Sequence, residues 1–298
     1  MDRTLVLCAL LASLLTATVI AEPLQIASLQ TSAMAGNSLS NRHWADLNPG
    51  KLKLKSASAL IVDSLGNEVY AKQVDQPMPI ASITKLMTAM VILDASLPMQ
   101  ERISITKDDR DLIKHTGSRL KYGATLTRDE LVRVMLMASE NRAANALART
   151  FPGGKTAFID TMNRKARELG MNDSRFAGPA GLNPENIASA RDVVKMVQAS
   201  LDYPLIREAT TTRSISVYPY KKSGELRYNN TNRLLRNEAW SIEISKTGYL
   251  REAGRCLTMQ VELVDEPLII VLLNSYGKLT PYGDSNRIRK WMENQVKG

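Results

Sequence analysis

Short runs rich in apolar residues and bounded by turn residues predict strands near both ends of the chain. Residues 59–63 and 68–72 are two such runs and flank a Leu65-Gly66-Asn67 turn, as two paired strands would. Further strand-like segments, some of them alternating, occur late in the chain, with Asp265 and Glu266 as the last hairpin turn. These later segments are 213–219, 240–246, 256–263 and 267–273. The strands therefore fall into an early pair and a late group.

The stretch between the two groups of strands has helical periodicity. Residues 82–95 are apolar on all sides, which predicts a helix in the core rather than on the surface. Apolar spacing over 158–169 and 288–296 predicts one further internal helix and a helix that closes the chain. Three pairs have the spacing of a capping box at a helix start: Thr106 with Asp109, Thr127 with Glu130, and Ser189 with Asp192.

The order of strands, helices, strands and a final helix constrains the fold. The early strands can complete a sheet only by pairing with the late ones, which makes the sheet antiparallel. We therefore predict an α/β protein of the α+β type, with an antiparallel sheet flanked by helices and an inserted helical subdomain. The sheet subdomain spans about 56–95 and 211–298, and the helical insert about 96–210. No second β-domain is predicted after the closing helix.

The first residues have the composition of a secretory signal peptide. Arg3 precedes an uncharged, apolar run that ends with side chains of small or modest size at 19 and 21, where a signal peptidase would read them. The predicted organisation is a cleaved signal peptide, a flexible tether and a folded domain, over 1–21, 22–55 and 56–298 respectively. An uncleaved membrane anchor is the alternative, because the apolar run is close to the length that a bilayer requires.

Charge and cysteine content narrow the classes of function. The 298 residues carry a formal net charge of +9, which favours contact with an anionic cell wall, lipid or nucleic acid. Aromatic residues make up only 5% and the cations are scattered, so a nucleic-acid platform is disfavoured. We predict no nucleic-acid partner and at most loose membrane association. Removal of the signal leaves Cys256 as the single cysteine, and its alternating surroundings predict a buried thiol in a strand.

A serine followed three residues later by a lysine occurs four times: at Ser82/Lys85, Ser104/Lys107, Ser118/Lys121 and Ser275/Lys278. Only Ser82 stands at the start of a buried helix, where unpaired N–H groups and the helix dipole favour negative charge. Residues i and i+3 share a helix face, so Lys85 lies beside the Ser82 hydroxyl. Burial there lowers a lysine pKa toward neutrality, as a general base requires. The other three pairs are predicted to be structural.

A second motif, Ser139-Glu140-Asn141, ends the predicted helix that runs through Leu131. Its hydroxyl can relay a proton, and its amide can orient both a lysine and a substrate carbonyl. Tyr228-Asn229-Asn230 is an alternative candidate for this second motif, with a tyrosine hydroxyl in place of the serine hydroxyl. That alternative lies only 18 residues before the third motif at 246–248, which leaves no room for a helical subdomain between them. Ser139 and Asn141 are therefore favoured.

The third motif, Lys246-Thr247-Gly248, ends an alternating strand that begins at Trp240. A lysine and a threonine can hold a substrate carboxylate, and a glycine lets a substrate backbone approach closely. Lys222-Ser223-Gly224 has a similar composition but lies in a predicted turn. We therefore assign Lys246, Thr247 and Gly248 to substrate binding.

The three motifs occur together in a known family. They match it in order and spacing, as do two further segments, Phe176 to Leu182 and Ser189 to Asp192. Over about 55–297 the chain resembles the low-molecular-mass penicillin-binding proteins of the D-alanyl-D-alanine carboxypeptidase family. Within that family, three segments resemble the periplasmic D,D-endopeptidases: 80–95, 139–144 and 151–154.

The resemblance implies a β-lactamase/transpeptidase-like fold and a serine D,D-peptidase that needs no metal or organic cofactor. It implies these roles: Ser82 as nucleophile, Lys85 as general base, Ser139 as proton relay, Asn141 as positioning residue, the Tyr249 backbone in an oxyanion hole, and Lys246, Thr247 and Gly248 in substrate binding. The expected partners are peptidoglycan peptide cross-links and, as covalent inhibitors, β-lactam antibiotics. The expected location is the periplasm.

Other functions fit parts of the sequence less well. A Ser-His-Asp triad and a zinc protease are disfavoured because the sequence has too few suitably placed histidines. His43 and His115 are the only two, and neither G-x-S-x-G nor H-E-x-x-H occurs. A class A β-lactamase would need Glu-x-x-Leu-Asn between the second and third motifs, where none occurs. A wall-binding module without turnover is disfavoured because every motif residue is intact. Of the two peptidase activities, the endopeptidase is predicted and the carboxypeptidase is the alternative.

Overall fold

A computed structural model describes residue 44 and residues 47–221 and 224–296; the predicted signal peptide and most of the tether lie outside them. Within these ranges the strands are β1 Ser58–Val62, β2 Glu68–Lys72, β3 Met78–Pro79, β4 Arg102–Ser104, β5 Thr125–Thr127, β6 Ile187–Ala188, β7 Ser214–Val217, β8 Leu226–Asn229, β9 Ser241–Leu250, β10 Gly254–Leu263 and β11 Glu266–Ser275. The helices are α1 Lys85–Asp94, α2 Arg128–Met137, α3 Asn141–Arg149, α4 Gly154–Glu168, α5 Ala190–Ser200, α6 Pro204–Thr211 and α7 Thr280–Val296. None of the described helices has the length and apolar character needed to span a membrane.

Five strands form one antiparallel sheet in the order β2-β1-β11-β10-β9. Strands from the two ends of the sequence pair directly, with Ile61 of β1 opposite Ile270 of β11. The prediction of an antiparallel sheet with flanking helices is confirmed. Strand β9 runs on to Leu250, past the predicted end at residue 246, so that the whole third motif lies on an edge strand.

The sheet separates two apolar layers, because successive side chains along a strand face opposite ways. Leu60 and Val62 of β1 belong to the layer formed with the helical insert. Ala59 and Ile61 of the same strand belong to the other layer, together with Trp291 of α7. Each large apolar side chain buried in this way stabilises the fold by about 1.5–3 kcal/mol.

Helix α1 lies in the core, as its apolar sequence predicted. Every residue from Lys85 to Ile92 is buried. A 3₁₀ turn, Ala81–Thr84, precedes the helix, so the α-helix begins three residues after the predicted start at Ser82. Ser82 therefore lies in the turn that carries the chain into α1.

The three predicted capping boxes have different outcomes. The box at 127–130 forms in full and begins α2. The box at 106–109 also forms, but it begins only a three-residue 3₁₀ turn. Ser189 caps α5 by accepting from the Asp192 N–H at 3.2 Å. In a full capping box the Asp192 carboxylate would accept from the Ser189 N–H. It accepts instead from the Asp173 N–H at 2.7 Å, so a tertiary contact replaces the second hydrogen bond of this box.

Part of the segment assigned to the flexible tether is packed against the sheet. Leu47, Leu52 and Leu54 are buried in the layer that contains α7. Apolar burial outweighs the polar character of the residues between these leucines. The folded domain therefore includes 47–55, which sequence analysis had placed in the tether.

The single cysteine of the described residues is buried and free, as predicted. Burial raises the pKa of the Cys256 thiol to about 11. The thiol is therefore protonated and of low reactivity at neutral pH.

A buried carboxylate ties α7 to the start of the domain. Asp284 accepts from the Ser56 N–H and the Ser56 hydroxyl, each at 2.7 Å, and from the Lys55 N–H at 3.0 Å. Replacing Asp284 by alanine leaves these buried donors without an acceptor. We therefore expect a loss of about 2–4 kcal/mol in the free energy of unfolding, measured by urea denaturation. Glu293→Ala removes a half-exposed carboxylate from the same helix and should cost less than about 1 kcal/mol. Equal losses for the two variants would contradict the anchoring role of Asp284.

Candidate active site

The 3₁₀ turn before α1 places Ser82 next to the edge of the sheet. Ala81 has φ 48°, in the left-handed region that residues with a side chain rarely adopt. Such a conformation persists only where surrounding contacts enforce it. The turn is held by hydrogen bonds from Ile80 N to Asn186 O at 3.0 Å and from Ile83 N to Ile80 O at 3.1 Å. Ser82 is therefore fixed by the fold rather than carried on a free loop.

Two glycines lie against this turn because no side chain fits there. A Cβ on Gly181 would lie 1.9 Å from the Ala81 carbonyl oxygen, and one on Gly248 would lie 2.9 Å from the Ile80 carbonyl oxygen. The Gly248 Cβ would also lie 3.2 Å from Ser82 N. Glycine in the third motif therefore lets edge strand β9 pack directly against the nucleophile turn, a constraint that sequence analysis had not identified.

Lys85 joins the first two motifs. Its Nζ lies 2.8 Å from Ser82 Oγ, 2.8 Å from Asn141 Oδ1 and 2.6 Å from the Ala180 carbonyl oxygen. The side chain is completely buried. Burial lowers the pKa of Lys85 well below its ordinary value, and the nearby charge of Lys246 lowers it further. A neutral amine in this position can accept the Ser82 proton.

The second motif forms the connection between α2 and α3. Ser139 has φ 61°, so the chain reverses direction at the serine itself. Glu140 caps α3 by accepting from the Arg142 N–H at 3.2 Å. Asn141 is the first residue of α3, and its side chain faces Lys85. The motif is therefore a tight turn between two helices, which brings its hydroxyl and its amide to the cleft.

A second buried lysine, Lys246, approaches from the sheet. Its Nζ lies 3.2 Å from Ser139 Oγ and 3.0 Å from the Thr247 carbonyl oxygen. Burial lowers the pKa of Lys246 to about 7. Neither this lysine nor Lys85 contacts a carboxylate in the described part of the chain, so both amines lose protons more readily than a solvated lysine does.

Thr247 has a partner that sequence analysis missed. The Thr247 hydroxyl lies 2.6 Å from the Thr231 hydroxyl. The backbone of Thr231 is held by two hydrogen bonds. Its N–H donates to the Met137 carbonyl oxygen at 3.1 Å, and its carbonyl oxygen accepts from the Tyr282 hydroxyl at 3.1 Å. Thr231 directly follows the alternative motif that begins at Tyr228. Tyr228 itself is buried away from the cleft, so the segment supplies a threonine rather than a tyrosine hydroxyl.

A buried carboxylate positions Asn141 through one intermediate residue. Asp111 accepts from the Thr116 hydroxyl at 2.7 Å and from the Thr116 N–H at 2.8 Å. The Thr116 hydroxyl in turn accepts from Asn141 Nδ2 at 3.0 Å. Burial acts to raise the pKa of Asp111, but its several hydrogen bonds outweigh burial and lower it. Asp111 is therefore ionised at neutral pH and fixes which face of the Asn141 amide meets Lys85.

Asp111→Asn tests this chain of contacts. In the wild type Asp111 Oδ2 accepts both Thr116 donors, while Oδ1 accepts from two further backbone N–H groups of the same loop. An asparagine has one accepting oxygen, so its NH₂ must face one of these two pairs of donors. Asn141 is then held less firmly, and kcat should fall by about 10- to 100-fold with little change in KM. Thr116→Val should reproduce the loss and Thr116→Ser should restore activity. Asp108→Asn, at an exposed neighbouring carboxylate, serves as the control. A loss of kcat that merely follows the free energy of unfolding would contradict a positioning role.

The serines of the other three serine–lysine pairs are structural, as predicted. The Ser104 hydroxyl lies 2.7 Å from the Thr125 hydroxyl between β4 and β5. Ser118 bonds within its own loop. Ser275 is buried, with its hydroxyl 2.7 Å from that of Ser56. Among the described residues, none of these three hydroxyls is hydrogen-bonded to a lysine amine.

The three motifs line one cleft of about 330 Å³ between the β9 edge and the helical insert. The predicted residues that line it are Ser82, Ser139, Asn141, Thr247, Gly248 and Tyr249. Thr116, Thr231, Arg255, Lys278 and Tyr282, none of them predicted as site residues, line it as well. The lining within the described residues contains no aspartate or glutamate. The cleft therefore suits an anionic substrate.

A sheet-edge strand with Lys-Thr-Gly, facing a Ser-x-x-Lys turn and a Ser-x-Asn turn, defines the class of penicillin-recognising serine enzymes. The comparison with protein families agrees with this class. The chain belongs to the D-alanyl-D-alanine carboxypeptidase family, Peptidase S11, whose model matches residues 45–277.

Similar proteins support the same placement. A Pseudomonas aeruginosa protein named D-alanyl-D-alanine endopeptidase is 41% identical over 246 residues, which cover 82% of this chain and 79% of that protein. An Escherichia coli K12 protein of the same name is 41% identical over 242 residues, or 81% of this chain and 78% of that protein. Penicillin-binding protein D2 from Listeria monocytogenes, in its cefotaxime-bound form, superposes with a TM-score of 0.70 at 25% identity over 82% of this chain and 98% of its own. The predicted β-lactamase/transpeptidase-like fold is confirmed.

Proposed function

We propose that this protein is a serine D,D-endopeptidase that hydrolyses D-alanyl-diaminoacid cross-links in peptidoglycan. The chemistry rests on one observation, the contact of the buried Lys85 amine with the Ser82 hydroxyl at 2.8 Å. The choice of bond is supported by the two relatives named D-alanyl-D-alanine endopeptidase.

Acylation begins when neutral Lys85 removes the proton from Ser82. The Ser82 oxygen attacks the D-alanyl carbonyl carbon, and the backbone N–H groups of Ser82 and Tyr249 stabilise the oxyanion. Each such donor lowers the barrier by about 3–4 kcal/mol. Gly248 supports this geometry, because its lack of a side chain lets β9 bring the Tyr249 backbone close to the Ser82 turn. Asn141 keeps the Lys85 amine aimed at Ser82.

The leaving amine then needs a proton. The Ser139 hydroxyl lies between the cleft and Lys246 Nζ, at 3.2 Å from the latter, and can pass a proton outward. Lys246, with a pKa of about 7, can resupply Ser139 at neutral pH. Thr247 and its partner Thr231 present hydroxyl donors to the carboxylate beside the leaving amine. Before deacylation Lys85 releases the proton that it took from Ser82 to solvent, and Lys246 takes one up from solvent. Water then attacks the acyl-enzyme with the neutral Lys85 amine again as the base.

Penicillins and cephalosporins acylate the same serine in this proposal, because their strained amide presents a carbonyl and a carboxylate in similar positions. The cefotaxime-bound form of the Listeria monocytogenes relative supports this expectation. Peptidoglycan and β-lactams are thus the proposed partners.

We place the mature protein in the periplasm. The apolar run behind Arg3 supports export, and peptidoglycan as substrate requires it. The signal peptide over 1–21 and most of the tether lie outside the described residues, so both stay predictions. The net charge of +9 favours loose adhesion to an anionic wall or membrane surface.

The bond that is cut can be tested by incubating purified protein separately with cross-linked muropeptide dimers and with monomeric pentapeptide. We expect dimers to be converted to monomers, because the open cleft can admit a peptide as leaving group. Protein treated beforehand with benzylpenicillin is the control for contaminating enzymes. Rapid release of terminal D-alanine from the monomer, with dimers intact, would favour the D-alanyl-D-alanine carboxypeptidase instead.

A further inference from the structure

A second groove lies on the other side of the sheet from Ser82, between the start of the folded domain and α7. It encloses about 550 Å³, and its lining includes Lys51, Lys53, Arg287, Lys290, Trp291 and Asn294. Trp291 belongs to the apolar layer that contains α7, whereas the turn around Ser82 packs into the opposite layer. The groove is thus separate from the active-site cleft, and the proposed acyl transfer uses none of its residues.

Lysines alternate with leucines in the segment that forms one wall of the groove. Over 51–55 the sequence reads Lys-Leu-Lys-Leu-Lys, and the lysines are exposed while the leucines are buried. Leu52 has φ −92° and ψ 108°, an extended conformation in which successive side chains face opposite ways. Burial of the leucines against the sheet therefore directs Lys51 and Lys53 outward together.

Helix α7 supplies the other wall. Four lining residues occupy positions i, i+3, i+4 and i+7 of this helix and so share one face: Arg287, Lys290, Trp291 and Asn294. Trp291 Nε1 donates to the Asn48 carbonyl oxygen at 3.2 Å, which ties this face to the segment that bears the lysines. The fold therefore holds both walls in place.

The lining of the groove carries four cations and no aspartate or glutamate. Arg287 donates to the buried carboxylate of Asp284 at 2.7 Å. In the described part of the chain, the amines of Lys51, Lys53 and Lys290 have no hydrogen bond or ion pair. Like charges that share a groove repel each other, and the fold requires only that these three side chains be exposed. Uncompensated cations around one groove are the complement of an anionic ligand.

The shape and the lining of the groove favour an extended polymer over a lipid bilayer. A planar surface would meet only the rims of a concave groove, whereas a chain can lie inside it. Helices that bind a bilayer surface insert apolar side chains into it. None of the large apolar side chains that are exposed in the described residues lines the groove, and Trp291 is only 7% exposed.

We propose that this groove binds a strand of peptidoglycan other than the one being cut, through the carboxylates of its stem peptides. The proposal rests on the proposed function, which makes this anionic polymer the substrate. Tyr282 of the cleft lining and Asn294 of the groove lining lie on the same helix, about 18 Å apart along its axis. Cleft and groove can therefore contact one cross-linked network at the same time, which raises the local concentration of cross-links near Ser82.

Binding to intact peptidoglycan sacculi tests the groove without turnover. Ser82→Ala protein is co-sedimented with sacculi at low ionic strength, with and without a triple change in the groove: Lys51→Gln, Lys53→Gln and Lys290→Gln. We expect the triple change to weaken binding about tenfold and to make binding less sensitive to added NaCl. Arg287 stays in place because its ion pair is structural. In otherwise wild-type protein, the triple change should lower the rate of sacculus digestion about tenfold relative to the rate on soluble muropeptide dimers.

Two controls separate the groove from net charge and identify the ligand group. A second triple variant removes three exposed lysines outside the groove lining: Lys107→Gln, Lys121→Gln and Lys155→Gln. It changes the net charge equally and should bind sacculi within about twofold of the Ser82→Ala parent. On sacculi whose carboxylates have been converted to neutral amides with a carbodiimide and methylamine, the parent and the groove variant should bind equally.

Each contrary result has a separate meaning. Equal weakening by the two triple variants would attribute binding to net charge and overturn the groove. Groove-dependent binding to phosphatidylglycerol vesicles, with sacculus binding unaffected by the triple change, would make a bilayer the partner and would also overturn the proposal. A wild-type protein that leaves soluble dimers intact would overturn the proposed endopeptidase function, whereas co-sedimentation of Ser82→Ala protein does not depend on turnover.

Discussion

Ser82→Ala is expected to abolish peptide cleavage and covalent labelling by a fluorescent penicillin together. Among the described residues, the substitution removes the only hydroxyl that contacts the buried Lys85 amine. Removal of the nucleophile from a serine enzyme lowers kcat by at least about 10⁴-fold. Cleavage is measured on muropeptide dimers, and labelling on denaturing gels.

Ser104→Ala is the matched control for this prediction. Ser104 heads the same Ser-Ile-Thr-Lys tetrapeptide as Ser82, but its hydroxyl is bonded to Thr125 on an exposed strand pair. Cleavage and labelling should both stay near the wild-type rate. Loss of labelling in Ser104→Ala, with labelling retained in Ser82→Ala, would transfer the nucleophile to the other site and reject the proposed mechanism.

The sequence predicted the part of the site that depends on local geometry. Ser82 and Lys85 are three residues apart in a helical turn, so their contact follows from the period of the chain. Lys246 to Gly248 follow from the alternation of β9, which places lysine and glycine on the side of the strand that faces the Ser82 turn. The apolar character of α1 was enough to distinguish Ser82 from the other three serines that precede a lysine.

The supporting residues could not be predicted, because their contacts join segments that only the tertiary fold brings together. Thr116 reaches Asn141 from a polar loop, and Thr231 reaches Thr247 from the end of β8. Neither loop has a spacing that signals a site. Lys278 was set aside because its pair with Ser275 is structural, which is correct for Ser275 but leaves the lysine itself on the cleft.

The two buried lysines join function to stability. An ionised amine is costly to bury, and neither lysine has a carboxylate partner among the described residues to offset that cost. The lowered pKa values of Lys85 and Lys246 are the measure of this cost. The same lowering supplies an amine that exchanges protons near neutral pH, so the site is expected to be less stable than an apolar one of equal volume.

Lys246→Met should therefore stabilise the protein while it removes activity. Burial lowers the pKa of Lys246 from 10.5 to about 7. At about 1.4 kcal/mol per pKa unit, that shift amounts to a cost on the order of 5 kcal/mol below pH 7, from which the two lost hydrogen bonds subtract about 2 kcal/mol. We expect a net gain of about 2–3 kcal/mol in the free energy of unfolding and a fall in kcat of about 10²- to 10³-fold.

The pH dependence distinguishes this explanation from better packing by methionine. Between pH 7 and 10.5 the unfolded chain holds a proton at residue 246 and the folded chain does not, so wild-type stability rises with pH across that window. The advantage of Lys246→Met should be complete at pH 6 and shrink by pH 9. Loss of the neighbouring charge should also raise the pKa of Lys85 and move the pH profile of penicillin acylation upward. Urea unfolding at pH 6 and pH 9 measures the stability advantage of Lys246→Met, with the exposed Lys290→Met as control. A stability advantage that is the same at both pH values would attribute the gain to packing instead.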